Sequence, residues 1–186
     1  DGKTIRWVDT VRNEGWYPAP HMYLYHMNMG APLISENTEL VAPIESVLFA
    51  TPSVPKDQKD AHLDFVAPQE AFVEQAFLHK MRRDPEGMVR IALINRDAAD
   101  HPWGILYEYD GCVFPHFFQW RYLDRGRYVV GLEPSTNDIG GRIAARDAGQ
   151  LKMLEPGESV TYRNGLTVLD GATDIAAAVS RVGATK

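Results

Sequence analysis

Cysteine is nearly missing from this chain: Cys112 is the only one among 186 residues. A single thiol excludes an intramolecular disulfide and any zinc site built on several cysteines, and a reducing, cytoplasmic compartment is the simplest expectation. Positive charge is also scarce, with 19 Lys and Arg against 25 Asp and Glu and a formal net charge of -6. Phosphate binding needs a concentrated basic surface, whereas these cations are scattered among acids, so no nucleic-acid partner is expected. No apolar run approaches the roughly 18–20 residues of a membrane helix, so no membrane partner is expected either. The opening Asp1-Gly2-Lys3-Thr4 has neither the charged nor the apolar region of a signal peptide. Internal repeats, low-complexity tracts and composition shifts are absent too, which argues for one domain over 1–186.

What is present is enough apolar residue for a core, 45% of the chain. A chain of this length buries roughly 70% of the surface its unfolded form exposes. The prevailing pattern is the period of two that belongs to strands. Strand candidates are Thr4 to Val11, Met22 to Met29, Ile44 to Ala50, Ala71 to Lys80, Met88 to Asn95, Trp103 to Tyr109, Phe117 to Tyr122, Tyr128 to Glu133 and Ser159 to Leu169. Turn sequences such as Asp84-Pro85-Glu86-Gly87 and Glu155-Pro156-Gly157-Glu158 separate them. Helical pattern is confined to Arg142 to Gly149 and Asp174 to Val182. Strands joined by turns imply an all-β sandwich of antiparallel sheets. Phe72, Phe77, Ile91, Leu93, Ile105, Val129 and Leu166 are assigned to its core, and His62 and His101, beside charged or proline-containing turns, to its surface. The stretch Thr51 to Pro68, with three prolines, reads as a long surface loop.

Three stretches carry unusual chemistry. In Tyr23-Leu24-Tyr25-His26-Met27-Asn28-Met29 the alternation puts His26 and Asn28 on the face of Met22 and Leu24. A lone histidine of this kind is more often a core residue bonded to a backbone carbonyl than a catalyst. In Phe114-Pro115-His116-Phe117-Phe118-Gln119-Trp120-Arg121-Tyr122, aromatic rings alternate with polar groups, a composition that suits stacking on a sugar or base and equally suits core packing. In Val129-Val130-Gly131-Leu132-Glu133-Pro134-Ser135-Thr136-Asn137 an acid closes an apolar strand. Apolar neighbours raise a carboxylate's pKa and fit it to act as a base, whereas a strand-end Glu is usually solvated.

Taken in order, these motifs resemble the galactose mutarotase-like superfamily, and within it the aldose 1-epimerase-like DUF4432 family. The resemblance runs from Val11-Arg12-Asn13-Glu14-Gly15 through Leu24-Tyr25-His26-Met27-Asn28-Met29-Gly30-Ala31-Pro32-Leu33, Phe117-Phe118-Gln119-Trp120-Arg121 and Gly131-Leu132-Glu133-Pro134-Ser135-Thr136 to Leu154-Glu155-Pro156-Gly157-Glu158. It implies a galactose mutarotase-like antiparallel β-sandwich, whole or partial, in the C-terminal part of a longer protein. It further implies an isomerase that interconverts sugar anomers by ring opening and closure, with His26 as general acid and Glu133 as general base. Gln119 resembles a glutamine that contacts sugar hydroxyls. Asn28, His79, His116, Trp120 and Arg121 are the further candidates for substrate contact, and Arg121 would suit a phosphate, sulfonate or carboxylate on the sugar. Neither metal nor organic cofactor is implied, since proton transfer suffices. The expected partner is a small sugar, with pairing of exposed sheet edges to a second copy or to a preceding part of the protein.

Two other readings compete. A non-catalytic sugar-binding protein would use the same fold. A metal-dependent isomerase or lyase would need His21, His26 and a carboxylate around one ion, but residues five apart on a strand point to opposite faces.

Overall fold

The period of two resolves into two five-stranded sheets in which every strand pair is antiparallel. The structure is a computed structural model that describes residues 2–58, 60–97 and 100–184. The first sheet runs in the spatial order β1 (Thr4–Arg12), β12 (Ser159–Asp170), β8 (Trp103–Asp110), β7 (Met88–Asn95), β4 (Thr38–Val41). The second runs β3 (Met27–Gly30), β10 (Arg127–Ser135), β9 (His116–Asp124), β6 (Gln75–Met81), β5 (Ile44–Ala50). A two-stranded ribbon joins β2 (Ala19–Pro20) to β11 (Met153–Leu154). Among the described residues two α-helices complete the fold, α1 (Gly141–Asp147) and α2 (Gly171–Gly183), with a 3-10 turn at Ala61–Leu63. Neither is long and apolar enough to cross a membrane.

The inner faces of the two sheets supply one core. Ile91, Leu93, Ile105, Tyr107 and Tyr109 from the first sheet meet Phe117, Leu123, Val130 and Leu132 from the second, all nearly or fully buried. Tyr162 of β12 stacks on Phe114 and Tyr23 with ring centroids 4.6 and 4.8 Å apart, so aromatic surface fills much of the space between the sheets. The outer face of the first sheet is also apolar, and α2 covers it. Ile175, Ala178 and Val182, at helical spacing, pack on Ala92, Ile94, Leu106 and Leu169. Among the described residues no helix packs on the outer face of the second sheet in this way, and that face carries Phe118, Trp120 and Tyr122 beside Glu133.

Several expected elements differ from the outcome. The run Met22 to Met29 pairs only over Met27–Gly30, because Pro134 has no N–H to offer the opposite strand. Tyr25 N still donates to Pro134 O at 3.1 Å, and a single bridge joins Leu24 to Ser135 beyond it. The strand expected from Ala71 begins at Gln75, and Ala71 sits in a turn at φ 57. The short strands β2, β4 and β11 gave too few residues to show a period. Val129 lies on the outer face of β10 rather than in the core, and His62 is buried, 5% exposed, because the loop carrying it folds back over β6. Residue 59 of that loop is outside the described residues.

Candidate active site

Register determines which side chains of the second sheet meet. On β9, Phe117 and Leu123 belong to the inner core, so Gln119 and Arg121 point inward with them, whereas Phe118, Trp120 and Tyr122 point outward. On β10, Val130 and Leu132 point inward, and Val129, Gly131, Glu133 and Ser135 outward. The aligned pairs Gly131 with Trp120 and Asn28, Glu133 with Phe118, and Ser135 with His116 extend this outer face across three strands.

His26, just ahead of β3, places its Nε2 3.0 Å from Glu133 Oε1. The two environments are unequal. The His26 side chain is 44% exposed, while that of Glu133 is 9% exposed. Burial pushes the Glu133 carboxyl up to about 7 from an ordinary 4.5, because the ion loses water on going into an apolar strand face. The close approach to His26 is electrostatic contact without hydrogen-bond alignment, and Glu133 Oε1 is buried with no hydrogen-bond partner. An unpaired buried oxygen costs about 1–3 kcal/mol and is kept only where something offsets it.

Gly131 makes the arrangement sterically feasible. A Cβ at that position would stand 2.4 Å from Glu133 Oε1 and 3.0 Å from His26 Cε1. The carboxylate therefore folds back over the backbone of its own strand, into the space that any larger residue would fill. Beside the pair lies a cavity of about 400 Å³, bounded by Leu24, Trp120, Ser135, Asn137 and Ile139. Trp120 closes one side, its ring 5.6 Å from that of His26 and nearly perpendicular to it. The rim after Glu133 is fixed by a local turn in which Asn137 N donates to Ser135 Oγ and Ser135 Oγ donates to Asn137 O. Ile139 lies outside the stretches that the sequence marks, whereas Gly131 and Asn137 lie within the third of them without a role of their own. The tight glycine beside a buried acid is visible only once the rotamer of Glu133 is known.

The residues expected to contact substrate divide between the two faces. Trp120 borders the cavity, Asn28 is exposed on the same face opposite Gly131, and His116 stands beside Ser135 with its pKa lowered by burial. His79, Gln119 and Arg121 do not join them, because they point inward. Gln119 donates to His62 O at 2.8 Å and lies 3.2 Å from His79 Nε2. Arg121 donates to Gln75 Oε1 at 2.7 Å, to Asp64 O at 2.6 Å and to Ala61 O, and burial pushes its guanidinium down to about 10. These three side chains hold the loop around residues 61–64 onto β6 and β9, and they are 0–6% exposed. Arg121 is therefore turned into the interior, where it is 6% exposed. His21 does not share a site with His26: its Nε2 meets the Tyr162 hydroxyl in the interior, and among the described residues no three His, Cys, Asp or Glu side chains converge on a metal position.

This is the fold of the galactose mutarotase-like antiparallel sandwiches. A proposed aldose 1-epimerase from Klebsiella pneumoniae subsp. pneumoniae superposes with a TM-score of 0.87 at 24% identity, over 97% of this chain and 47% of that one. A proposed aldose 1-epimerase from Escherichia coli K12 matches with a TM-score of 0.55 at 17% identity, over 89% of this chain and 56% of that one. A galactose mutarotase-like protein from Clostridium acetobutylicum matches with a TM-score of 0.55 at 15% identity, over 88% and 52%. The chain thus spans about half the length of these solved proteins. No curated protein matches it. The model of the DUF4432 family, a domain of unknown function, matches residues 1–168, and the chain belongs to that family.

Proposed function

We propose that His26 and Glu133 are the acid and base of an aldose mutarotase-type site. The observation that carries this is a buried carboxylate, held up to about 7, with an exposed imidazole nitrogen 3.0 Å away. A base with a pKa near the working pH is both ionised and basic enough to take a proton. The anomeric carbon bears two oxygens, the hydroxyl and the ring oxygen, separated by less than a hydrogen-bond length. Two groups 3.0 Å apart reach both.

Glu133 takes the proton of the anomeric hydroxyl, and the electrons of that O–H bond form the carbonyl. The bond from the anomeric carbon to the ring oxygen breaks, and the ring oxygen takes a proton from His26. Rotation of the open aldehyde and reversal of the same transfers close the other anomer. Trp120 offers a flat apolar wall to the ring, Asn28 is exposed on the same face for its hydroxyls, and a cavity of about 400 Å³ is within the usual size of small-molecule sites. The names of the structural relatives, aldose 1-epimerase and mutarotase-like, support the same chemistry. A cytoplasmic sugar isomerase is the corresponding biological reading.

The pH profile tests it. Exchange of anomers, followed by NMR, is expected to be lost as pH falls below about 7, where Glu133 takes up its proton. A rate independent of pH between 5 and 8 contradicts Glu133 as the base. The second reading is sugar binding at the same cavity without chemistry, since the fold does not fix the function. Binding without accelerated exchange would decide for it.

A further inference from the structure

The outer face of β9 continues past Trp120. Tyr122, two residues on, points the same way, and such neighbours on one strand face lie about 6.6 Å apart. The two rings are 6.2 Å apart and 19° from parallel. They lead from the His26–Glu133 cavity into a second recess of about 730 Å³, and Trp120 is a wall of both. The far recess is bounded by Phe72, Glu74, Tyr122, Asp124, Arg127 and the small side chain of Val129. Its rim is turned by Ala71, whose φ of 57 is unusual for a residue with a side chain.

The chemistry of the recess is specific. Glu74 Oε2 accepts a hydrogen bond from Trp120 Nε1 at 3.1 Å, which fixes the indole shared by the two cavities. The Arg127 guanidinium lies 5.5 Å from the centre of the Tyr122 ring. Flat aromatic surface, with carboxylates to accept from hydroxyls and a guanidinium to donate to them, suits a polyhydroxylated ring. Two carboxylates, Glu74 and Asp124, against one guanidinium leave the lining net negative, which disfavours a phosphate or sulfonate.

The geometry points to a second glycosyl subsite on Trp120 and Tyr122, so that the substrate is a neutral reducing disaccharide or longer saccharide. Its reducing ring occupies the cavity beside His26 and Glu133, and its next ring occupies the far recess. This assignment rests on the acid–base reading for the reducing ring alone.

The test measures binding by ligand-observed NMR and anomer exchange on the same samples. The probes are glucose, galactose and mannose, disaccharides that end in each of them, and glucose 6-phosphate. At least one disaccharide is expected to bind about tenfold more tightly than its own reducing unit. In Tyr122→Ala that ratio is expected to fall to about one, with monosaccharide exchange unchanged. Arg127→Gln, an exposed substitution, is expected to reduce the ratio too and serves if Tyr122→Ala does not fold. Disaccharides that bind no better than their reducing units, a preference indifferent to both variants, or tighter binding of glucose 6-phosphate would each overturn the subsite. Tyr122-dependent disaccharide binding without exchange would leave the subsite standing and remove the acid–base reading. Monosaccharide exchange without any disaccharide preference would do the reverse, and no binding of any probe removes both.

Discussion

Replacing Glu133 by Gln changes how stability depends on pH, in a direction opposite to its effect on activity. Burial holds the folded carboxyl at about 7, against 4.5 when it is free. Below pH 4.5 the group is protonated in both the folded and the unfolded chain and contributes nothing. Between 4.5 and 7 the unfolded chain has released its proton while the folded protein retains it, so stability declines as pH rises. Above 7 the whole cost is present, about 3 kcal/mol at roughly 1.4 kcal/mol per tenfold in the proton equilibrium. Gln does not titrate. Its amide adds an offset of about 1–3 kcal/mol for unpaired buried N–H groups, and that offset is the same at every pH. The stability of Glu133→Gln minus that of the wild type is therefore expected to rise by about 3 kcal/mol between pH 4.5 and 8. Urea unfolding at closely spaced pH values measures this directly. Parallel stability curves for the two proteins would refute the buried, raised carboxyl and with it the physical basis for Glu133 as a base.

His79, fully buried, shows the opposite slope: burial first, and then the neighbouring His62, push its folded pKa down to about 4 from 6.5, so stability is lost as pH falls from 6.5 towards 4. His79→Gln is expected to flatten the acid limb of the unfolding curve by about 3 kcal/mol, and an unchanged limb contradicts a neutral buried imidazole. Gly131→Ala forces the carboxylate off its seat, since the new Cβ lies 2.4 Å from Glu133 Oε1. Anomer exchange should drop about 100-fold, and the Glu133 pKa, read from its carboxyl carbon by NMR, should fall towards 4.5; a normal rate with a pKa still near 7 would show that the glycine is incidental. Asn13 donates to Tyr17 O and Leu154 O, both at 2.8 Å, and accepts from Gly15 N, tying β1 to the small ribbon. Asn13→Ala should cost about 2 kcal/mol and lower Tm by roughly 4–8 °C, with a change under about 1 °C by circular dichroism counting against that clamp.

The strands of the sandwich were legible because alternation reports burial, and β7, β8 and β10 alternate or run apolar over eight or nine residues. Alternation does not report hydrogen-bond partners. Pro134 truncates the ladder of β3 from the neighbouring strand, a fact invisible within residues 22–29. At the site, His26 and Glu133 were legible as residues, while their 3.0 Å approach depends on register between strands about a hundred positions apart. The stretch Gln119-Trp120-Arg121 holds a lesson about period two. Three consecutive residues of a strand cannot share a face, so a motif that reads as one binding surface divides into Trp120 outside and Gln119 with Arg121 inside. His62 was assigned to the surface from its local neighbours, and only the return of its loop onto β6 buries it.

On the proposed mechanism Glu133 moves the proton of an anomeric hydroxyl. The most direct measurement is NMR exchange between the anomers of neutral aldoses at pH 7 to 8, with wild-type protein and Glu133→Gln side by side. Acceleration by the wild type, lost in a variant that remains folded and binds the sugar, is the result the structure predicts. Equal acceleration by both proteins would contradict it.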